Sequence, residues 1–350
     1  MADTLPTPLA PLLQVEHLSV QLQTPRGPAL AVRDVGFSLR RGETLGLIGE
    51  SGCGKSMTAL ALLGLLPENA VTTGSIRLNG QQLVGLDDKA LCKLRGNRIG
   101  MIFQEPMTAL NPVHTVGDQV AEPLRLHRGV ARVDARKQAI TLLDRVGISN
   151  AAVRLDAYPH QFSGGQRQRI TIAMALACGP DILIADEPTT ALDVTIQGQI
   201  LDLIADLVQE RSMAMVLISH DLGVIAQNVA QMMVMYGGSV VESGSTASIF
   251  ARQSHPYTRG LFGARPRLGQ ARGARLATIA GTVPELVDLP PGCRFADRCG
   301  FAISACGQKI PIAQAIDSQA TDSQAFSSQH HAACLRLDQI GVANSLGNSP

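Results

Sequence analysis

The sequence contains no tryptophan, and its aromatic content is only 3%. A core built without large rings has to be filled by aliphatic side chains, which suits an α/β interior. No charge of one sign prevails. A net charge of +1 gives no general attraction to nucleic acid or to anionic lipid. No apolar run reaches the roughly 18 uninterrupted residues that a spanning helix needs. The opening Met-Ala-Asp-Thr-Leu-Pro-Thr-Pro has neither a basic segment nor an apolar one behind it, so it does not read as a secretory signal. There is no internal repeat. These absences place the chain in the cytoplasm, where its seven cysteines are expected as thiols or metal ligands rather than disulfides. With 350 residues and 45% hydrophobic content, it can bury one large core or two modest ones.

What is present is organised around Gly49-Glu50-Ser51-Gly52-Cys53-Gly54-Lys55-Ser56. This stretch fits Gly-x4-Gly-Lys-Ser/Thr, the phosphate-binding loop, and it lies where that loop has to lie: after the apolar strand Leu45–Ile48 and before a helix beginning near Met57. Glycines let successive N–H groups turn inward towards phosphate oxygens, and the following helix adds its unpaired amides and dipole. Lys55 can reach the β- and γ-phosphates, and the Ser56 hydroxyl can ligate Mg²⁺. A plain glycine turn is the bland alternative, and the flanking strand and helix weigh against it.

Along the chain, residues 1–11 read as a loose tail. Leu13–Leu22 and Ala29–Leu39 read as strands, as do 74–78, Ile99–Phe103, Ile182–Ala185 and Met213–Ile218, with Met232–Tyr236 and Ser239–Glu242 paired around Gly237-Gly238. Residues 105–165 read as a helical insertion, with helices over Val116–His127 and Val133–Val146 and with Ile140, Leu143 and Val146 on one face of the second. A further helix from Thr195 carries Ile196, Ile200, Leu203, Ile204 and Leu207 on one stripe. Near residue 250 the composition shifts. Arg265, Arg267, Arg272 and Arg275 mark a basic linker, residues 308–332 a Ser/Gln/Ala-rich loop, and residues 338–350 a disordered end.

Polar groups stop several of these apolar strands: the phosphate loop, Gln104, Asp186-Glu187 and His220. In a parallel α/β sheet the strand C-termini share one edge, where ligands bind. Asp186 suits a Mg²⁺-holding carboxylate, and Glu187 suits a base for an attacking water. Gln104 can ligate Mg²⁺ or orient that water, and His220 can hydrogen-bond the γ-phosphate. Taken singly, an Asp-Glu pair is often a solvated turn, and a lone Gln or His at a strand end is more often structural; the reading rests on their joint order behind a phosphate loop. Ser163-Gly164-Gly165-Gln166 is a second glycine-bearing helix start. As a local feature it is a capping turn with Ser163 as N-cap. In a chain that already has a complete phosphate loop, it also suggests an anion site for a nucleotide presented by another subunit.

Cys53, Cys92 and Cys178 are scattered and read as small tolerated residues, with Cys53 open to alkylation within the loop. Cys293, Cys299, Cys306 and Cys334 form Cys-x5-Cys-x6-Cys plus one distant thiol, for which spacing leaves zinc and iron–sulfur equally open. His330 and His331 are further candidate ligands.

These residues together resemble the ATP-binding subunits of ATP-binding-cassette transporters, and specifically the dipeptide/oligopeptide (and nickel) importer family. The general marks are Gly49–Ser56, Gln104, the signature Phe162–Gln166, Ile182–Glu187, Ala191-Leu192-Asp193 as D-loop, and His220. The narrower marks run from Met101 to Pro112, from Ala185 to Thr195, over His255-Pro256-Tyr257-Thr258, and through the C-terminal cysteines. The resemblance covers about residues 12–335. It implies a phosphate-loop ATPase core over 12–250 with an antiparallel β subdomain and a helical subdomain at about 105–165, followed by a small Cys-bearing extension over 251–337. It implies ATP and Mg²⁺ as ligands, a 4Fe–4S cluster on the four cysteines, and a place on the cytoplasmic face of the inner membrane. The implied partners are a second, paralogous ATPase subunit, two membrane permease subunits and an extracytoplasmic substrate-binding protein, with no nucleic acid. Ser163, Gly164, Gly165 and Gln166 would then close over the partner's ATP. Phe162 stands where leucine is usual. Leu22 falls where the family stacks an aromatic ring on adenine, so adenine would gain apolar contact without π stacking. Gly300 replaces a proline common after the second cysteine.

Two other classes fit less well. Soluble cassette proteins acting on ribosomes or DNA carry tandem cassettes or long coiled-coil insertions, neither of which is here. A redox sensor with the cysteines at its centre would be recognised by an ATPase rate that depends on their occupancy.

Overall fold

The computed structural model describes residues 10–190, 192–265, 278–316 and 329–342. Most of the expected tail, Ala191, the linker arginines Arg267, Arg272 and Arg275, much of the Ser/Gln/Ala-rich loop and residues 343–350 lie outside the described residues. The strands are, in chain order, β1 (Leu13–Thr24), β2 (Gly27–Leu39), β3 (Thr44–Ile48), β4 (Ala70–Leu78), β5 (Gln81–Gln82), β6 (Ile99–Ile102), β7 (Ile182–Asp186), β8 (Ala214–Ser219), β9 (Gln231–Tyr236), β10 (Ser239–Ser245), β11 (Gln314–Ala315) and β12 (His331–Ala332).

Contacts divide the chain into two compact units. One takes the chain up to Ser38, Leu45–Val84 and everything from Ser219 onwards; the other takes Leu39–Thr44 and Gly85–Ile218. In the first unit, β2-β1-β4-β5 form an antiparallel sheet. β1 pairs with β4 from Leu13 opposite Leu78 to Leu22 opposite Ala70, with a register shift between Glu16 and Ser19. That shift explains the burial pattern. The inward residues are Leu13 and Val15 before it and Leu18 and Val20 after it, a period of two that slips once. In the same unit β3 runs parallel to β9, β9 turns back into β10, and β12 brings the far end of the chain onto β10, with Glu242 opposite Ala332. Leu45, Leu47, Ile48 and all of Met232–Tyr236 are buried, as strands covered on both faces require.

β12 also closes a buried polar site. The Glu242 carboxylate is 1% exposed. It accepts the backbone N–H of Ser254 at 2.7 Å and of His255 at 2.9 Å, and lies 2.7 Å from His330 Nε2. A carboxylate sealed from water needs partners of this kind.

In the second unit β6, β7 and β8 are parallel, from Ile99 opposite Ile182 and Ile182 opposite Ala214 onwards. Helices span Val116–Arg128, Arg132–Arg145, Gly164–Leu176 and Val194–Glu210. The helix over Arg132–Arg145 differs from the expected face. Ala135, Ala139 and Leu143 are its buried residues, Val146 at its end is buried too, and Ile140 is only half-buried. Small side chains at 135 and 139 allow close approach of the helix, so the inward stripe lies one residue round from the large apolar ones. Among the described residues, no helix is long and apolar enough to cross a membrane.

Candidate active site

The first unit holds the phosphate loop. β3 delivers the chain to Gly49, and a helix over Lys55–Leu63 carries it away. The glycine requirement is steric at both ends. A Cβ on Gly49 would stand 2.3 Å from the Met235 carbonyl oxygen, and one on Gly54 would stand 2.5 Å from that of Ala31. Gly54 also has φ 93°, a left-handed conformation that favours glycine. As N-cap it has no side chain with which to close the helix, so the first amides receive no side-chain cap. Lys55 is buried, and its Nζ donates to the carbonyls of Gly49 at 2.8 Å and Glu50 at 3.0 Å. A buried ammonium folded into its own loop beside an uncapped helix start is a fit for a phosphate chain. Ser56 follows, half-buried, in the first turn.

Other loop residues are held by the C-terminal part of the same unit. Glu50 N–H donates to Tyr257 Oη at 2.8 Å, and the Glu50 carboxylate accepts Arg298 Nη1 and Nη2 at 2.8 and 3.1 Å. Gly238 N–H donates to the Cys53 carbonyl at 3.2 Å. Cys53 is fully buried, and burial raises its thiol pKa, which corrects the expectation of an alkylation-prone loop cysteine. Sequence reasoning missed Arg298 altogether and noted Tyr257 only as part of a family mark. Leu22 lies half-buried on β1, and His220 is exposed directly after β8. Both belong to the first unit.

The second unit holds Gln104, Asp186, Glu187, the signature and Asp193. Asp186 ends β7 and is 5% exposed. Glu187 comes next with φ 46°. Left-handed backbone at a non-glycine residue costs about 1–3 kcal/mol. The Glu187 N–H donates to the Ile218 carbonyl at 3.0 Å. Its Oε2 accepts Thr190 Oγ1 at 2.9 Å and Gln104 Nε2 at 3.3 Å. The structure thus brings Gln104 and Glu187 together. Asp193 is the N-cap residue of the helix over Val194–Glu210, without a side-chain cap bond.

The signature helix is closed in the manner expected of a capping turn. Ser163 Oγ accepts Gln166 N–H at 3.4 Å, and Gln166 Oε1 accepts Ser163 N–H at 3.2 Å. Phe162 is buried, with the Arg154 guanidinium 4.0 Å above its ring, a cation–π contact that leucine would not make.

The four C-terminal cysteines come close enough to feel one another. Burial, followed by the charges of Cys334, Cys299 and Cys306, pushes Cys293 up to about 11. Burial likewise raises Cys299 and Cys334, with neighbouring cysteines adding to the effect. The backbone N–H groups of Phe295 and Phe301 donate to the sulfurs of Cys293 and Cys299, and that of Arg336 lies 3.4 Å from Cys334 Sγ. Among the described residues, no three His, Cys, Asp or Glu side chains close around a single metal ion. The expectation of histidine ligands is corrected: His330 is engaged by Glu242, and His331 Nδ1 lies 2.9 Å from the Gln329 carbonyl.

The phosphate loop, the strand-end carboxylates and the glycine signature are together the marks of an ATP-binding cassette. Residues 32–190 match the family model described as ABC transporter, and residues 241–306 match that described as oligopeptide/dipeptide transporter, C-terminal region. A peptide import ATP-binding protein of Brucella abortus (strain 2308) is 48% identical over 345 residues, covering 95% of this chain and 99% of that protein. A peptide ABC transporter ATP-binding protein of Sinorhizobium fredii is 46% identical over 331 residues, covering 94% and 96%. An ATP-binding cassette solved as a dimer in a post-hydrolysis state with ADP and Pi superposes with a TM-score of 0.60 at 28% identity, covering 67% of this chain and 98% of that one. The chain belongs to the ATP-binding subunits of ATP-binding-cassette transporters.

Proposed function

We propose that the chain hydrolyses ATP to power import of di- or oligopeptides, or related solutes, through a membrane complex. The observation that carries this reading is the end-to-end similarity to peptide import ATP-binding proteins, together with an uncapped, lysine-bearing helix start suited to phosphates. The Gly49–Ser56 amides and Lys55 bind the phosphates, and Leu22 covers adenine on an apolar face. Ser56, Gln104 and Asp186 are the groups that would hold Mg²⁺, which supplies Lewis acidity at the phosphate oxygens. Glu187 takes a proton from the attacking water as the new P–O bond forms and the bond to ADP breaks. Gln104 helps to orient that water, and His220 hydrogen-bonds the γ-phosphate. Ser163, Gly164, Gly165, Gln166 and Asp193 serve a nucleotide whose loop lies on a second cassette.

In this reading the cassette is residues 12–250 and the extension residues 251–337. The partners are a paralogous ATPase subunit, two permeases and an extracytoplasmic binding protein, and the subunit works from the cytoplasmic face of the membrane. We also propose a 4Fe–4S cluster on Cys293, Cys299, Cys306 and Cys334. The mutual influence of the thiols and the N–H groups aimed at three of them support it. Iron analysis and visible absorbance of anaerobically purified protein test the cluster; stoichiometric zinc would overturn it.

Glu187→Gln in the assembled complex tests the chemistry. Hydrolysis is expected to fall about 1000-fold while ATP still binds. Full activity in that variant would overturn the role of Glu187.

A further inference from the structure

An acidic side chain stands inside a loop meant for a polyanion. Glu50 occupies one of the open positions of the motif, and its charge opposes the triphosphate that the loop would cradle. The structure shows how that charge is managed. Arg298 Nη1 and Nη2 grip both oxygens of the Glu50 carboxylate at 2.8 and 3.1 Å, a two-point fork that cancels the charge and fixes its direction. The arginine side chain is only 5% exposed, and that of Glu50 31%. Arg298 is itself locked. Nε donates to the Ala280 carbonyl at 2.8 Å, Nη2 to that of Gly281 at 3.3 Å, and Nη1 to Tyr236 Oη at 3.4 Å.

Glu50 is held at its backbone too. Its N–H donates to Tyr257 Oη at 2.8 Å, and its carbonyl accepts Lys55 Nζ at 3.0 Å. Tyr257 is fully buried, its ring centroid 4.7 Å from that of Tyr236 and 5.3 Å from that of Phe295. A single residue therefore connects the phosphate-loop lysine to an arginine that lies immediately before Cys299 in the chain.

We propose that Arg298 is a positioning residue for nucleotide binding: it neutralises and orients Glu50 so that the phosphate loop accepts ATP. The proposal rests on the reading of Gly49–Ser56 as the ATP site. Without Arg298, the Glu50 carboxylate is released beside the phosphates, and repulsion raises the dissociation constant and KM while kcat changes little. A purely structural role would lower stability and affinity whatever the charge at position 50.

The test is the dissociation constant of a fluorescent ATP analogue with Mg²⁺ on the full chain, compared among wild type, Arg298→Gln and the Arg298→Gln/Glu50→Gln double variant, with thermal melting as a fold check. Arg298→Gln is expected to bind about thirtyfold more weakly. Adding Glu50→Gln in the Arg298→Gln background is expected to restore most of the affinity. Equal binding by Arg298→Gln and wild type would overturn the proposal, as would no rescue in the double variant. If Arg298→Gln alone does not fold, the double variant decides, since binding there as weak as that of Lys55→Ala would overturn the proposal. A wild-type chain that binds no analogue would instead sink the ATP reading itself, with Lys55→Ala as the reference for lost binding.

Discussion

The helix that begins at Lys55 and the helix that begins at Gly164 open in opposite ways. The first has Gly54 as its cap and nothing from a side chain on its leading amides; the second is closed by the Ser163–Gln166 reciprocal pair. A third start, at Pro256, is closed by the ring of His255, whose Nδ1 accepts Tyr257 N–H at 3.1 Å. A side-chain cap satisfies leading amides from within the chain, whereas a helix start without one has room for a ligand to do so. The difference agrees with the proposed roles, in which the Lys55 start receives this chain's own nucleotide and the signature is offered to another.

Three changes sharpen or break that contrast. Lys55→Ala strips the charge from the open start, and ATP hydrolysis is expected to fall by at least about 100-fold, measured as phosphate release. Next in size is acidification acting on the His255 cap. Burial, opposed by the Glu242 charge, lowers this imidazole from 6.5 to about 4. Because the folded value lies below the unfolded one, the stabilisation is complete above about pH 6.5 and is lost as pH falls towards about 4, by about 3 kcal/mol in all. Denaturant melts across that range should show the loss, and His255→Asn should flatten it; a slope unchanged by His255→Asn would exclude the cap as its source. The smallest effect belongs to Ser163→Ala, expected to lower stability by about 1 kcal/mol while leaving ATP binding by the lone chain intact. A loss of binding as large as that of Lys55→Ala would erase the distinction between the two starts.

The strands were readable because their residues are almost continuously aliphatic: Leu45–Ile48, Ile182–Ala185 and Met213–Ile218 match β3, β7 and β8 to within a residue at most of their ends. The face of the helix over Arg132–Arg145 was not, because Ala135 and Ala139 carry little hydrophobic signal yet are fully buried. Motif order placed Glu187 at a strand end, but its left-handed backbone and its bonds to Thr190 and Gln104 depend on neighbours that no spacing reveals. The grip on Glu50 was invisible for the same reason: Tyr257 and Arg298 lie 207 and 248 residues further along the chain. Local pattern announces chemistry that is contiguous in the chain; long-range ion pairs are written in residues that look ordinary where they stand.

The carboxylate of Glu242 has a consequence for how little of this chain can be dispensed with. Two of its partners are backbone amides at Ser254 and His255, but the third is His330, which immediately precedes the returning strand β12. Removal of one partner from a buried charge costs about 3–5 kcal/mol, a large part of a domain's whole stability. A cassette trimmed of its last few dozen residues would keep every nucleotide motif and still lose the seal on its own interior. What looks like an appendage in the sequence is, in the fold, one of the walls.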